Sequence, residues 1–281
     1  MRMTSGDAEL VLMPEMGGAV VSWTIVGLPM FRAADPTATT SRAHACYPLF
    51  PFSNRIANRR FTWDGITYEL PPLIQQWAIH GAAWQRPWNG AGNAMTLDYK
   101  PSDLWPFAFY AEQIFDLTPT SLGITLKIEN RDTKPVPAAF GLHPFFWRSA
   151  STRVQLAVQS MWLPDAEKIP TGKGPVPPEY DFNAERALDD VEIDHCFSGW
   201  DGTARIVWPD RGTALRMTCS EPLRHVVFYT PLGRPFFAVE PVSNRNDGLN
   251  HMLDSQDHGM TILAPAQSIT ARVDMVLEAI S

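Results

Sequence analysis

Hydrophobic residues alternate with polar or small ones along most of the chain, the period-two pattern of strands that bury one face. Leu122, Ile124, Leu126 and Ile128 alternate in SLGITLKIEN, Val154, Leu156 and Val158 in TRVQLAVQS, and Val273, Met275 and Leu277 in ARVDMVLEA. AELVLMPEMGGAVVSWTIV predicts strand, Gly-Gly turn, strand, and the PDRG between TARIVW and TALRMTC predicts a hairpin turn. No amphipathic helix longer than about three turns is predicted, although residues 179–190 have room for a short one. Many strands between Pro- and Gly-rich turns imply an all-β sandwich or barrel. The Pro-rich PTGKGPVPPEY at 170–180 is expected to be an ordered surface loop, because alternation resumes beyond it. Residues 1–281 are expected to form a single domain.

Composition narrows the function classes. The 281 residues carry a formal charge of −7 and show no run of Lys or Arg, which argues against a nucleic-acid partner. No apolar stretch approaches the roughly 18 residues needed to cross a bilayer, and the opening MRMTSGDAELVLMPEMGG lacks a signal-peptide pattern. A cytoplasmic protein is expected. Cys46, Cys196 and Cys219 are widely spaced and form no CxxC, as suits free thiols in a reducing compartment. Pro, at 25 residues, disfavours helices. The 10 Trp residues have two readings: core packing, or flat platforms for sugar rings.

Five segments set polar or ionisable residues among apolar or aromatic ones: PFSNRIANRR (51–60), WAIHGAAWQRPW (77–88), FGLHPFFW (140–147), EIDHCF (192–197) and FFAVEPVSNRNDG (236–248). Buried ionisable groups are costly unless paired, so each needs either a structural partner or a function. Glu240 ends an apolar run and precedes Pro241, which keeps it extended. A desolvated carboxylate there titrates above its usual value of about 4.3 and serves as a general base. His143, before Pro144 and amid aromatic residues, is a candidate acid. Arg55 offers a fork of donors to hydroxyls or to a carboxylate. His80, between Trp77 and Trp84, and Asp194 can each hydrogen-bond sugar hydroxyls, with the two indoles covering a ring face.

The order and wording of these segments resemble the aldose 1-epimerase (galactose mutarotase) family. The resemblance rests on Asn-Arg-Ile-Ala-Asn-Arg after Pro-Phe, His-Gly with a nearby Trp, Gly-Leu-His-Pro-Phe-Phe, Asp-x-Cys-Phe and an apolar strand ending in Glu. The closing LAPAQSITARVDMVL is similar too. It implies a large twisted antiparallel β-sandwich, the galactose mutarotase-like supersandwich, with the site in a cleft on one sheet face. It also implies that His143 is the general acid, that Glu240 is the general base, and that Arg55, His80 and Asp194 bind sugar. The expected reaction is interconversion of the α and β anomers of a free hexose by ring opening and closure. No metal, nucleotide or redox cofactor is needed, and the protein is expected to act as a monomer or homodimer.

One departure bears on the substrate. Many members follow the catalytic Glu with Thr-Gln, where this chain has Pro241, Val242 and Ser243, which counts against galactose and leaves galactose, glucose and an anionic hexose all open. Arg59, Arg60, Arg86 and Arg245 are extra cations near these segments; they suit either an anionic sugar, sulfonated or phosphorylated, or a solvated surface. Three rival readings stay open. A non-catalytic carbohydrate-binding sandwich leaves the acid–base pair without a purpose. A glycoside hydrolase or lyase needs a second carboxylate, for which Asp194 is the candidate. A metal site on His80, His143 and Asp194 lacks tight ligand spacing.

Overall fold

The computed structural model describes the whole chain except residues 34, 36, 189–190, 254–256 and 281. Two large antiparallel sheets dominate it. One runs Arg2–Ser5, Ala8–Met13, Ala19–Ile25, Cys46–Leu49, Gly141–Trp147, Phe236–Val242, His225–Thr230, Ile193–Ser198, Ser160–Pro164 and Pro170–Gly174, with Leu28–Pro29 paired off its third strand. The other has nine strands, among them Phe109–Leu117, Ser121–Asn130, Ser268–Ala279, Thr213–Cys219 and Thr203–Trp208. This is the all-β architecture that the alternation predicts.

The predicted elements fall close to their places. The N-terminal pair is Ala8–Met13 against Ala19–Ile25, and SLGITLKIEN forms the strand Ser121–Asn130. PDRG makes one 3-10 turn at Pro209–Arg211 and closes at Gly212 with positive φ. Two expectations differ. Residues 170–174 of the Pro-rich segment form an edge strand rather than a loop, and an edge is where a sheet tolerates proline. Among the described residues of 179–190 there is only a 3-10 turn, Pro178–Tyr180, and the short strand Arg186–Ala187.

Alternation sorts side chains into two buried clusters. One face of the first sheet sends Val20, Leu142, Phe146, Phe228, Phe237 and Val239 into a core shared with Leu122, Leu126, Val273 and Met275 of the second. The opposite face of the same central strands gathers Tyr47, Leu49, Phe145, Cys196, Val227 and Ala238 into a smaller cluster. The large core also absorbs the tryptophan excess: Trp23, Trp105, Trp200 and Trp208 are fully buried there. The three cysteines are buried and unpaired. No helix among the described residues is long and apolar enough to cross a membrane.

Candidate active site

The smaller cluster floors a cleft of about 330 Å³, at the low end of the size range of small-ligand sites. Parity carries the key side chains there. On Gly141–Trp147, His143 shares a face with Phe145, and on Phe236–Val242, Glu240 shares one with Ala238. Register then sets the two opposite each other, because Gly141 pairs with Val242 and Phe145 with Ala238. The ladder between those two pairings is interrupted, where Pro144 and Pro241 bring no N–H. His143 Nε2 lies 3.2 Å from Glu240 Oε1, with side chains only 8% and 3% exposed.

Burial governs how this pair titrates. Desolvation, reinforced by the negative charge of Asp194, pushes Glu240 well above the ordinary carboxylate range, although Arg55 opposes the shift. Desolvation, with the nearby His80 and Arg32, pulls His143 well below an ordinary imidazole. Glu240 Oε2 is buried and finds no hydrogen-bond partner among the described residues. An unsatisfied carboxylate oxygen at the floor of a polar cleft is costly, and a hydroxyl donor would satisfy it. Tyr47, opposite His143 in the register, stacks on its ring with centroids 4.8 Å apart and planes at 21°. The imidazole is thereby held in plane.

The segment 53–57, with the two-residue strand Arg55–Ile56 inside it, delivers Asn54 and Arg55, and the loop 243–247 holds it. Asn244 Oδ1 accepts from Ser53 N–H at 2.9 Å, while its Nδ2 donates to Ser53 C=O at 3.1 Å. Asp247 Oδ1 accepts from Ala57 N–H, and Asp247 N–H donates to Arg55 C=O. Asn54 and His80 both adopt positive φ, 57° and 64°, which is uncommon for residues other than glycine and found often at functional sites. They grip each other: His80 N–H donates to Asn54 C=O, and Asn54 N–H donates to His80 Nδ1 at 3.2 Å. That second bond leaves the ring proton on Nε2. Burial, then the cations Arg55 and Arg42, lower His80 to about 3, so it presents a neutral N–H donor.

Of the residues singled out in the sequence, His143, Glu240, Arg55, His80 and Asp194 all line the cleft. Arg55 Nη2 stands 3.9 Å from Asp194 Oδ2. Trp77 and Trp84 are not in its wall. Trp77 lies under the Arg55 guanidinium, 5.6 Å away, and Trp84 packs behind Tyr47. The flat walls are instead Tyr47, Phe145, Tyr229 and Phe236. The four extra cations also lie elsewhere. Arg59 and Arg60 approach Glu69, Arg86 donates to Ser102, and Arg245 is buried over Trp162. Two arginines that the sequence did not single out, Arg32 and Arg42, line the cleft. Their segment, PMFRAADPTATTSRAHA, carries no alternation and none of the five motifs. Among the described residues no group of three metal-ligating side chains converges.

Comparison with known proteins bears on the chain as a whole. Residues 1–275 match the family model described as aldose 1-epimerase. The chain is 29% identical over 278 residues to the uncharacterized protein YphB of Escherichia coli K12, covering 94% of each chain. It superimposes with a TM-score of 0.90 and 25% identity on an E. coli K12 structure provisionally described as an aldose 1-epimerase, covering 99% of this chain and 98% of that one. A galactose mutarotase-like protein from Clostridium acetobutylicum gives 0.86 at 20% identity, over 99% and 95% of the two chains.

Proposed function

Since the chain belongs to the aldose 1-epimerase family of isomerases, we propose that His143 and Glu240 carry out its anomer interconversion as acid and base. The observation that carries the assignment is their 3.2 Å contact at the floor of the cleft. A neutral pair at this distance shares one proton, written either as imidazole with carboxylic acid or as imidazolium with carboxylate. Both forms hold the same number of protons, so the reactive one arises by a shift along a single hydrogen bond. Tyr47 fixes the ring and His80 Nε2–H offers a donor, so the site is preorganised before sugar enters.

The substrate's two reacting oxygens, O1 and O5, hang on the same carbon, and two groups in mutual contact can address both. Glu240 takes the O1 proton while His143 gives a proton to O5. The C1–O5 bond breaks, C1=O1 forms, and the open-chain aldehyde results. Rotation about C1–C2 exposes the other face. On closure O5 attacks C1, His143 recovers the O5 proton and Glu240 returns one to O1, giving the other anomer. Every proton is returned, and the pair ends as it began. Arg55, His80 and Asp194 hold the hydroxyls, in a protein proposed to work in the cytoplasm.

The test is exchange NMR at the anomeric protons over a panel of aldoses, after subtraction of the spontaneous rate. Glu240→Gln and His143→Asn are each expected to lose about 10²–10⁴-fold in rate while still binding sugar. Near-wild-type turnover in either variant removes the role assigned to that residue. Sugar binding with no acceleration for any aldose marks a binding module instead, and release of reducing ends from glycosides marks a hydrolase.

A further inference from the structure

Three guanidinium groups line the cleft, and they are not equivalent. Arg55 is approached by Asp194. Neither Arg32 nor Arg42 has a carboxylate within ion-pair distance among the described residues. Arg32 is nonetheless fixed. Its Nε and Nη2 donate to the carbonyl of His44 at 3.0 and 2.6 Å, and Nη2 also reaches the carbonyl of Arg42. Its guanidinium carbon sits 3.5 Å from the Phe145 ring centroid and 4.8 Å from that of Phe236. Nη1 takes no part in these bonds. Burial lowers Arg32 to about 10, which leaves it charged at neutral pH. Carbonyl oxygens accept its hydrogen bonds but bring no countercharge, and a half-buried cation without one is unfavourable.

The position of this charge relative to the reacting pair is informative. Phe145 lies 4.3 Å from the His143 ring, centroid to centroid, so the Arg32 guanidinium and the imidazole pack on the same phenyl ring, near enough for the cation to help depress His143. Asp194 and Arg55 act on Glu240 instead. The cleft therefore has an unneutralised cationic end beside His143 and a mixed-charge end beside Glu240. In ring opening His143 serves O5 and Glu240 serves O1. O5 is bonded to C5, and C5 carries C6, so the C6 substituent falls on the His143 side. The C2 hydroxyl falls on the other.

We propose that Arg32 and Arg42 form a subsite for an anionic group at C6 of an aldohexopyranose: a carboxylate, a sulfonate or a phosphate. The inference rests on the mutarotase reading above and extends it to a substrate class. A planar guanidinium already locked by backbone carbonyls loses little freedom on meeting such an anion. The exposed Arg42 adds a second donor at the mouth. On a chain of net charge −7, a locally cationic cleft also gathers an anion that the rest of the surface repels.

The experiment compares exchange rates for glucose and galactose with those of their 6-phosphates, their 6-deoxy-6-sulfonates and the corresponding uronates. At least one C6 anion is expected to exceed its neutral parent by about 10- to 100-fold in kcat/KM. Added salt lowers that ratio, and the preferred anion identifies the group. Arg32→Gln and Arg42→Gln are each expected to collapse the ratio, mainly through KM of the anionic sugar. Arg42 is exposed, and its side chain has no hydrogen bond to lose among the described residues, so it keeps the test decisive if Arg32→Gln folds poorly. Neutral sugars turned over as well as every C6 anion, or a preference that survives both substitutions, overturns the subsite and leaves the mutarotase reading standing. No acceleration with any sugar, neutral or anionic, removes both.

Discussion

At the scale of single residues, the central fact is that burial moves two neighbouring groups in opposite directions. Glu240 is held well above its ordinary value and His143 well below. The sign of the pH dependence follows. As pH falls, the singly protonated pair is lost only when His143 gains a second proton, well below the ordinary 6.5. As pH rises, it is lost only when Glu240 gives up its proton, well above the ordinary 4.5. The profile of kcat/KM is therefore expected to be flat as pH is lowered through about 6.5, with its acid limb below that point. An acid limb at or above 6.5, measured by anomeric exchange, contradicts the buried pair. Sequence reasoning anticipated a desolvated Glu240 from its place after PFFAV. It did not anticipate a depressed His143, because the second cause of that shift, His80, is remote in sequence.

At the scale of elements, the motif SNRNDG has a mechanical use. Asn244 imitates a strand partner for Ser53, satisfying both its N–H and its C=O, and so ties the end of the Glu240 strand to the loop carrying Asn54 and Arg55. Asn244→Ala leaves two buried backbone groups of Ser53 unpaired and is expected to cost roughly 1–3 kcal/mol of stability. The loosened loop should raise KM more than it lowers kcat, because Arg55 is the residue proposed to bind sugar and His143 and Glu240 are those proposed to react. Unchanged melting temperature and KM would show that the clamp is idle. Gly81 closes the same region. A Cβ there would strike the carbonyl of Phe50, and its φ of 72° suits glycine. The five segments were legible as polar islands. That two of them hold each other was not, because a side chain that mimics a ladder has no periodic signature.

For the whole molecule, the reacting strands lie in the middle of a sheet whose other face is the main core, so the site and the fold should fail together. Leu126→Ala, in the far sheet and fully buried, is expected to cost about 2–5 kcal/mol. It should lower the temperatures of unfolding and of inactivation equally while sparing kcat at low temperature. Inactivation well before unfolding would mean that the cleft opens independently of the core. Most strands, the all-β class and the polar islands are legible in the chain alone, though the edge strand Pro170–Gly174 is not. Strand parity and residue chemistry are local properties, readable from neighbours in the chain. Only the tertiary structure decided that His143 faces Glu240, since register between strands distant in sequence depends on the packing of both sheets. It likewise buried Trp23, Trp105, Trp200 and Trp208 in the main core and left aromatic walls to Tyr47, Phe145, Tyr229 and Phe236. It also set Arg32 and Arg42 in the cleft, while Arg59, Arg60, Arg86 and Arg245 went elsewhere. A cation's role depends on which groups surround it in space, and a linear sequence does not carry that information.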